Sequence, residues 1–90
     1  MKQVKVIISG VVQGVFFRSF VKDTANNLGL KGWVRNTEDG KVEAVFQGEE
    51  KNIEKIILYC HQDPPPSHVK DIKVIEEKPD NSLTRFKIKY

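Results

Sequence analysis

The period of the apolar residues changes from two to about 3.6 and back, twice over, along these 90 residues. Val4, Val6 and Ile8 alternate, with Ile7 adding apolar character on the opposite side, so residues 4–9 read as a central strand. Phe17, Phe20, Val21, Thr24, Ala25 and Leu28 then share one helical face, while Lys22, Asp23, Asn26 and Asn27 share the other. This predicts a helix over residues 18–28, stopped by Gly29 just past its C-cap. Two strand-like runs, 31–37 and 41–47, flank Glu38-Asp39-Gly40, a strong hairpin signal. Val42, Ala44 and Phe46 alternate on the second run, Trp33 is the natural anchor near the first, and Gly48 ends the pair. Ile53, Ile56, Ile57 and Cys60 define a second amphipathic helix over about 50–61, with Glu49 and Glu50 suiting its positive end. Pro64-Pro65-Pro66 forbids helix and predicts a stiff extended connector. Val69–Lys78 reads as a strand and Pro79-Asp80-Asn81 as a turn. Phe86, Ile88 and Tyr90 alternate with basic residues as a last, half-buried strand.

The order is therefore β-α-β-β-α-β with a short extra strand. That is the split β-α-β, ferredoxin-like arrangement of the α+β class: two helices on one face of a four- to five-stranded, mainly antiparallel sheet. Residues 1–90 make a single domain, because a second core would have almost nothing to bury. This fold carries many unrelated functions, so function must come from a site.

Composition removes several classes. No run approaches the roughly 18–20 apolar residues that span a membrane, and the first residues lack a signal-peptide apolar core. The single Cys60 cannot form an internal disulfide, which points to a reducing, cytoplasmic compartment. The net charge of +3 comes mostly from scattered lysines, 12 of the 15 basic residues, so no concentrated basic face is expected and no nucleic-acid partner. His61 and His68 flank the prolines without Cys or paired carboxylates at ligand spacing, so no metal site and no other cofactor is expected. Cys60, on the apolar face of the second helix, reads as core.

What remains is Ile8-Ser-Gly-Val-Val-Gln-Gly-Val-Phe-Phe-Arg18. A strand–glycine–helix junction aims several backbone N–H groups at one point, where the helix dipole favours an anion. The same pattern also suits a plain strand-to-helix turn with Val12, Val15 and Phe17 packed inward. Two features favour the anion reading. Apolar residues fill a connection that is usually polar, pinning the loop while its amides point outward. Arg18 stands in the first helical turn, where a cation opposes the dipole unless an anion lies between.

These residues resemble the first signature of the acylphosphatase family, and Gly32-Trp-Val-Arg-Asn36-Thr-Glu-Asp-Gly40-Lys-Val42, continuing to Gly48, resembles the second. The closing Arg85–Tyr90 is similar to the family's C-terminal strand, so the resemblance spans essentially the whole chain. It implies hydrolysis of a small-molecule acyl phosphate to a carboxylate and inorganic phosphate by a monomeric enzyme. It also implies that Arg18 binds phosphoryl oxygens and that Asn36 positions the attacking water, with the backbone amides of Gln13, Gly14, Val15, Phe16 and Phe17 as the cradle and Thr37 helping to hold phosphate. The position after Gly10, often basic in the family, is Val11 here. Arg35 alternates with Asn36 and should face the surface.

So sparse a site suits this chemistry. The leaving group is a carboxylate, whose conjugate acid has a pKa of about 4–5, so it departs without a general acid. Charge spread over the equatorial oxygens is met by amides and one forked guanidinium, without metal. Two other readings stay open on the residues: a non-catalytic module that keeps the anion pocket, and a nucleic-acid binder on the sheet face. The intact Arg18 and Asn36 weigh against the first, and strand aromatics that read as buried weigh against the second. A related domain in larger carbamoyl-phosphate-processing proteins shares both motifs, but the 90-residue length favours a free-standing enzyme.

Overall fold

The computed structural model describes residues 1–62 and 67–90. The elements are β1 (Lys2–Val11), α1 (Val15–Asn27), β2 (Lys31–Asn36), β3 (Val42–Gly48), α2 (Glu50–His61), β4 (His68–Glu77) and β5 (Phe86–Ile88). They build one five-stranded sheet in the order β4-β1-β3-β2-β5, with both helices on one face. The pairings are antiparallel except β2 with β5, which is parallel. The expected α+β, ferredoxin-like architecture is thus present. The polyproline connector falls outside the described residues.

Side-chain alternation decides which face the helices cover. In one cross-strand row Val6 stands opposite Ala44, and Ala44 opposite Val34; in the next, Ile8 stands opposite Val42, and Val42 opposite Asn36. Val6, Ile8, Ala44, Val34 and Val42 are at most 1% exposed. Phe17, Val21 and Ala25 of α1 and Ile53, Ile56 and Cys60 of α2 close over them. At the other end of the sheet Phe46 stacks on Phe86, ring centroids 5.5 Å apart. Burying each such side chain contributes about 1.5–3 kcal/mol, which makes this layer the main source of stability.

Alternation also overturns two expectations. Trp33 neighbours Val34 on β2, so it faces away from the helices and anchors no part of the helix-facing core. It lies half-buried on the open face, with the Lys89 ammonium 4.3 Å from its ring centroid. Tyr90 lies beyond the end of β5 and is 98% exposed, so it forms no half-buried strand position. The ladder stops near Lys89, whose N–H donates to the Val34 carbonyl at 2.8 Å. Arg35 is on the surface as expected, bonded to the Glu43 carboxylate through Nε and Nη2, each at 2.7 Å.

The open face carries a feature that periodicity does not reveal. Gln3 and Gln47 point there yet are 5% and 2% exposed. The reason is the connection from β4 to β5, which must pass from one edge of the sheet to the other. Four strand spacings of about 4.8 Å make roughly 19 Å. The eight residues Lys78–Arg85 reach about 26 Å, so a nearly direct crossing suffices. Asp80 is the fastening point. Gln47 Nε2 donates to its carbonyl at 2.8 Å, its N–H donates to Gln3 Oε1 at 2.7 Å, and Gln47 Nε2 also donates to Gln3 Oε1 at 2.8 Å. Removing one member strands buried polar atoms. Gln47→Ala is therefore expected to lower the unfolding free energy by about 1–3 kcal/mol, read from urea denaturation, whereas a change of only a few tenths would mean the strap is fastened elsewhere.

Candidate active site

β1 and β2 run parallel with β3 between them, so their C-terminal ends lie at the same end of the sheet. α1 starts there. The register of β1 against β4 shifts at Ser9/Gly10, where Lys70 is the extra residue on β4, and Gly10 and Val11 go on pairing with Val69 and His68. A Cβ on Gly10 would lie 2.2 Å from the His68 carbonyl oxygen, so only glycine lets the strands approach this closely. The true connection is just Val12–Gly14, because α1 begins at Val15 and not at Arg18 as periodicity suggested. Gly14 makes this possible. As N-cap it adopts φ 130° and ψ 160°, a region essentially restricted to glycine, and turns the chain sharply into the helix.

The shift changes what the apolar run does. Phe16 and Phe17 lie in the first helical turn, not in a loop. Val12 and Phe17 are buried and pin the junction, as expected, while Phe16 and Val11 are more than 60% exposed. The side chain of Val15 lies outside the described set. The N–H groups of Val15, Phe16 and Phe17 have no acceptor within the helix, as in any first turn. Gly14 offers no side-chain cap and the first turn holds no acidic residue. The positive end of α1 thus carries no compensating negative charge of its own.

Arg18 follows on the next position and is 8% exposed. Its guanidinium carbon lies 5.0 Å from the centroid of the Tyr90 ring. Asn36 is the last residue of β2, in the row of Ile8 and Val42, on the helix-covered side. Among the described residues, the buried side-chain nitrogen and oxygen atoms without a hydrogen-bond partner are Arg18 Nε and Asn36 Oδ1. One is a donor and the other an acceptor, at the same end of the sheet. Buried polar atoms are almost always paired, and an unpaired one calls for a reason.

Thr37 is fully engaged in the β2–β3 turn. Its hydroxyl reaches the Asp39 carboxylate and the Lys41 carbonyl (3.2 Å) and accepts from the Lys41 N–H at 3.0 Å. The Thr37 hydrogen bond also holds the exposed Asp39 carboxyl below its ordinary pKa. Gln13 was singled out for its backbone amide, but its side chain has a task as well: Nε2 donates to the carbonyls of Thr37 at 2.6 Å and Lys41 at 3.1 Å. That link between loop and hairpin was invisible to sequence reasoning. The one available signal was a single polar side chain within an apolar run. Beside it a small recess of about 80 Å³ is lined by Val11, Val12, Gln13, Phe16, Phe17 and Ser67.

Among the described residues no group of three His, Cys, Asp or Glu could hold a metal ion. His61 and His68 are exposed, and Cys60 is buried, its thiol pushed up to about 12 by that burial. No helix among the described residues is long and apolar enough to cross a membrane.

The acylphosphatase family model matches residues 4–88. The chain belongs to the acylphosphatase family. It is 43% identical over 88 residues to the acylphosphatase of Rubrobacter xylanophilus, covering 98% of this chain and 80% of that one. The crystal structure of the acylphosphatase from Bacillus subtilis superposes with a TM-score of 0.94 at 39% identity, over the whole of both chains. Full-length HypF, solved in a phosphate- and nucleotide-bound form, contains a similar unit: TM-score 0.86, 34% identity, 99% of this chain but 12% of HypF. As an acylphosphatase the protein is a hydrolase acting on acyl phosphates.

The Gly14 geometry makes a specific demand on this acylphosphatase. A Cβ at Gly14 would meet nothing within 4 Å, so the cost of Gly14→Ala is conformational and not steric. The variant is expected to lose about 1–3 kcal/mol of stability in urea denaturation, or else to rearrange the turn and weaken binding of inorganic phosphate. Wild-type stability together with wild-type phosphate affinity would show that the turn places no special demand on its residue.

Proposed function

We propose that the end of α1 is the phosphoryl site of this acylphosphatase, that Arg18 completes it, and that Asn36 holds the attacking water. The observation that carries this reading is the pair of buried, unpartnered atoms, Arg18 Nε and Asn36 Oδ1, at the same end of the sheet as the free first-turn amides of α1. A phosphoryl dianion needs several donors. The backbone N–H groups of Gln13, Gly14, Val15, Phe16 and Phe17 and the Arg18 guanidinium supply them from a single rigid junction. Arg18, unfavourable against its own helix dipole, becomes favourable once an anion lies between the two positive groups. Asn36 Oδ1 accepts a hydrogen bond from water and turns its oxygen toward phosphorus.

The reaction then needs little else. Water oxygen bonds to phosphorus as the bond from phosphorus to the acyl oxygen breaks, and the electron pair leaves with the carboxylate. The water proton passes to a phosphate oxygen, so the products are a carboxylate and dihydrogen phosphate. Asn36 has no proton to take or give at neutral pH, so its contribution is orientation. The developing equatorial charge meets donors already in place. The scheme draws its positive charge from Arg18 and the amides and assigns no step to a metal or cofactor. Thr37, its hydroxyl engaged in the turn, acts by holding the turn behind Asn36 in shape and not by touching phosphate. The enzyme works as a monomer in the cytoplasm, and the exposed acyl side of the site accepts many acyl groups.

Two substitutions separate these roles. Arg18→Lys is expected to reduce kcat/KM for benzoyl phosphate by about 100- to 1,000-fold, because an ammonium cannot reproduce the planar fork. Near-normal turnover would remove Arg18 from the mechanism. Asn36→Ala is expected to cut kcat by about 100-fold while the inhibition constant of inorganic phosphate moves by no more than about twofold. If phosphate affinity falls as far as kcat, Asn36 is a ligand to the anion and does not place the water.

A further inference from the structure

The junction that would bind phosphate and the strand end that carries Asn36 belong to different elements. β1 and α1 frame the first, and the β2–β3 hairpin carries the second. Positioning a water in line demands that the two hold one distance to within a fraction of an ångström, and a turn is the part of a hairpin freest to move. Something must join them at the level of the turn itself.

Gln13 meets that need. It precedes Gly14 in the connection, and its side chain is the one polar group between Val11 and Phe17. A carboxamide has two N–H donors on one nitrogen. Gln13 Nε2 directs them at the carbonyl of Thr37, 2.6 Å away, and the carbonyl of Lys41, 3.1 Å away. Those carbonyls stand on the two arms of the turn. Thr37 N–H donates to the same Lys41 carbonyl at 2.9 Å, and Gly40 N–H donates to the same Thr37 carbonyl at 3.3 Å. Gln13 therefore grips the acceptors of both backbone–backbone hydrogen bonds of the turn. Thr37 is bonded directly to Asn36, so a shift of its carbonyl is passed on through one peptide unit of about 3.8 Å. The grip is solvent-exposed, so it contributes little to global stability and much to local register.

We propose that the Gln13 side chain is a positioning residue for hydrolysis: it clamps the β2–β3 turn to the phosphate-binding junction and so sets where Asn36 holds water. This rests on the reading of Asn36 given above. The residue touches no reacting atom through its side chain. Its effect is exerted through Thr37 and Lys41 on Asn36. Gln13→Met, which keeps length and removes both donors, is the test, with Gln13→Glu as a second variant that keeps shape but offers only acceptors to two carbonyls.

The decisive experiment is a double-mutant cycle with benzoyl phosphate as substrate and inorganic phosphate as competitive inhibitor. In the wild-type background each Gln13 variant is expected to lower kcat by about 10- to 100-fold, with phosphate inhibition changed by less than about threefold. In the Asn36→Ala background the same variants are expected to change kcat by less than about twofold, because the group they position is gone. An equal loss in both backgrounds overturns the proposal, and so does a loss of phosphate affinity that matches the loss in kcat. If Asn36→Ala alone leaves kcat intact, the water-positioning role fails first, which separates the two failures. Should the double variant turn over too slowly to measure, amide exchange decides: Gln13→Met is expected to speed exchange at Thr37 and Gly40 about tenfold, and unchanged protection there overturns the clamp.

Discussion

The packing of α1 over β2 and β5 is the constraint on which the rest depends. Phe17, Val21 and Ala25 are buried against a row of Val and Ile side chains, and that burial fixes the helix axis relative to the strands. Because β1 and β2 are parallel, the same packing delivers the start of α1 to the end of β2. The uncompensated amides and Asn36 lie at the same end of the sheet as a consequence of core formation, with Arg18 on the first turns of α1. None of them has to generate its own position.

The cost of that arrangement is local and visible. Gly10 admits a strand contact that a Cβ would forbid, and Gly14 holds a backbone region closed to other residues. Arg18 sits against the dipole of its own helix, and two polar atoms are buried without partners. Each feature is unfavourable for folding taken alone. A core that contributes about 1.5–3 kcal/mol per large side chain can hold all of them. Strain and orphaned polar atoms gather at the end of the sheet where the family's chemistry is expected, while the buried Gln3 and Gln47 side chains on the open face are hydrogen-bonded to each other and to Asp80.

Much of this was legible from pattern. Alternation in Val4–Ile8 and Val42–Phe46 marks helix-facing strands because a pleat sends neighbours to opposite sides. What misled was an element whose start is governed by one torsion. Residues 15–17 look like an apolar loop until Gly14 is seen to turn the chain early. Trp33 looks like core because large aromatics usually are, but its parity on β2 is that of the open face. Tyr90 continues an alternation that the parallel pairing with β2 does not extend to reach. The burial of Gln3 and Gln47 was illegible, since it depends on a crossing connection nearly eighty residues from Gln3.

The amino-acid sequence by itself determined the element order, the two helix-facing rows and the identity of the candidate groups, because periodicity and glycine chemistry act over a few residues. It also carried both family signatures. Tertiary structure alone decided which groups meet. The orphaned donor on α1, the orphaned acceptor on β2 and the Gln13 grip on the turn are relations between residues more than fifteen positions apart. Such relations exist only after strands two places apart in sheet order have been brought into one layer, and short-range pattern has no means of expressing them.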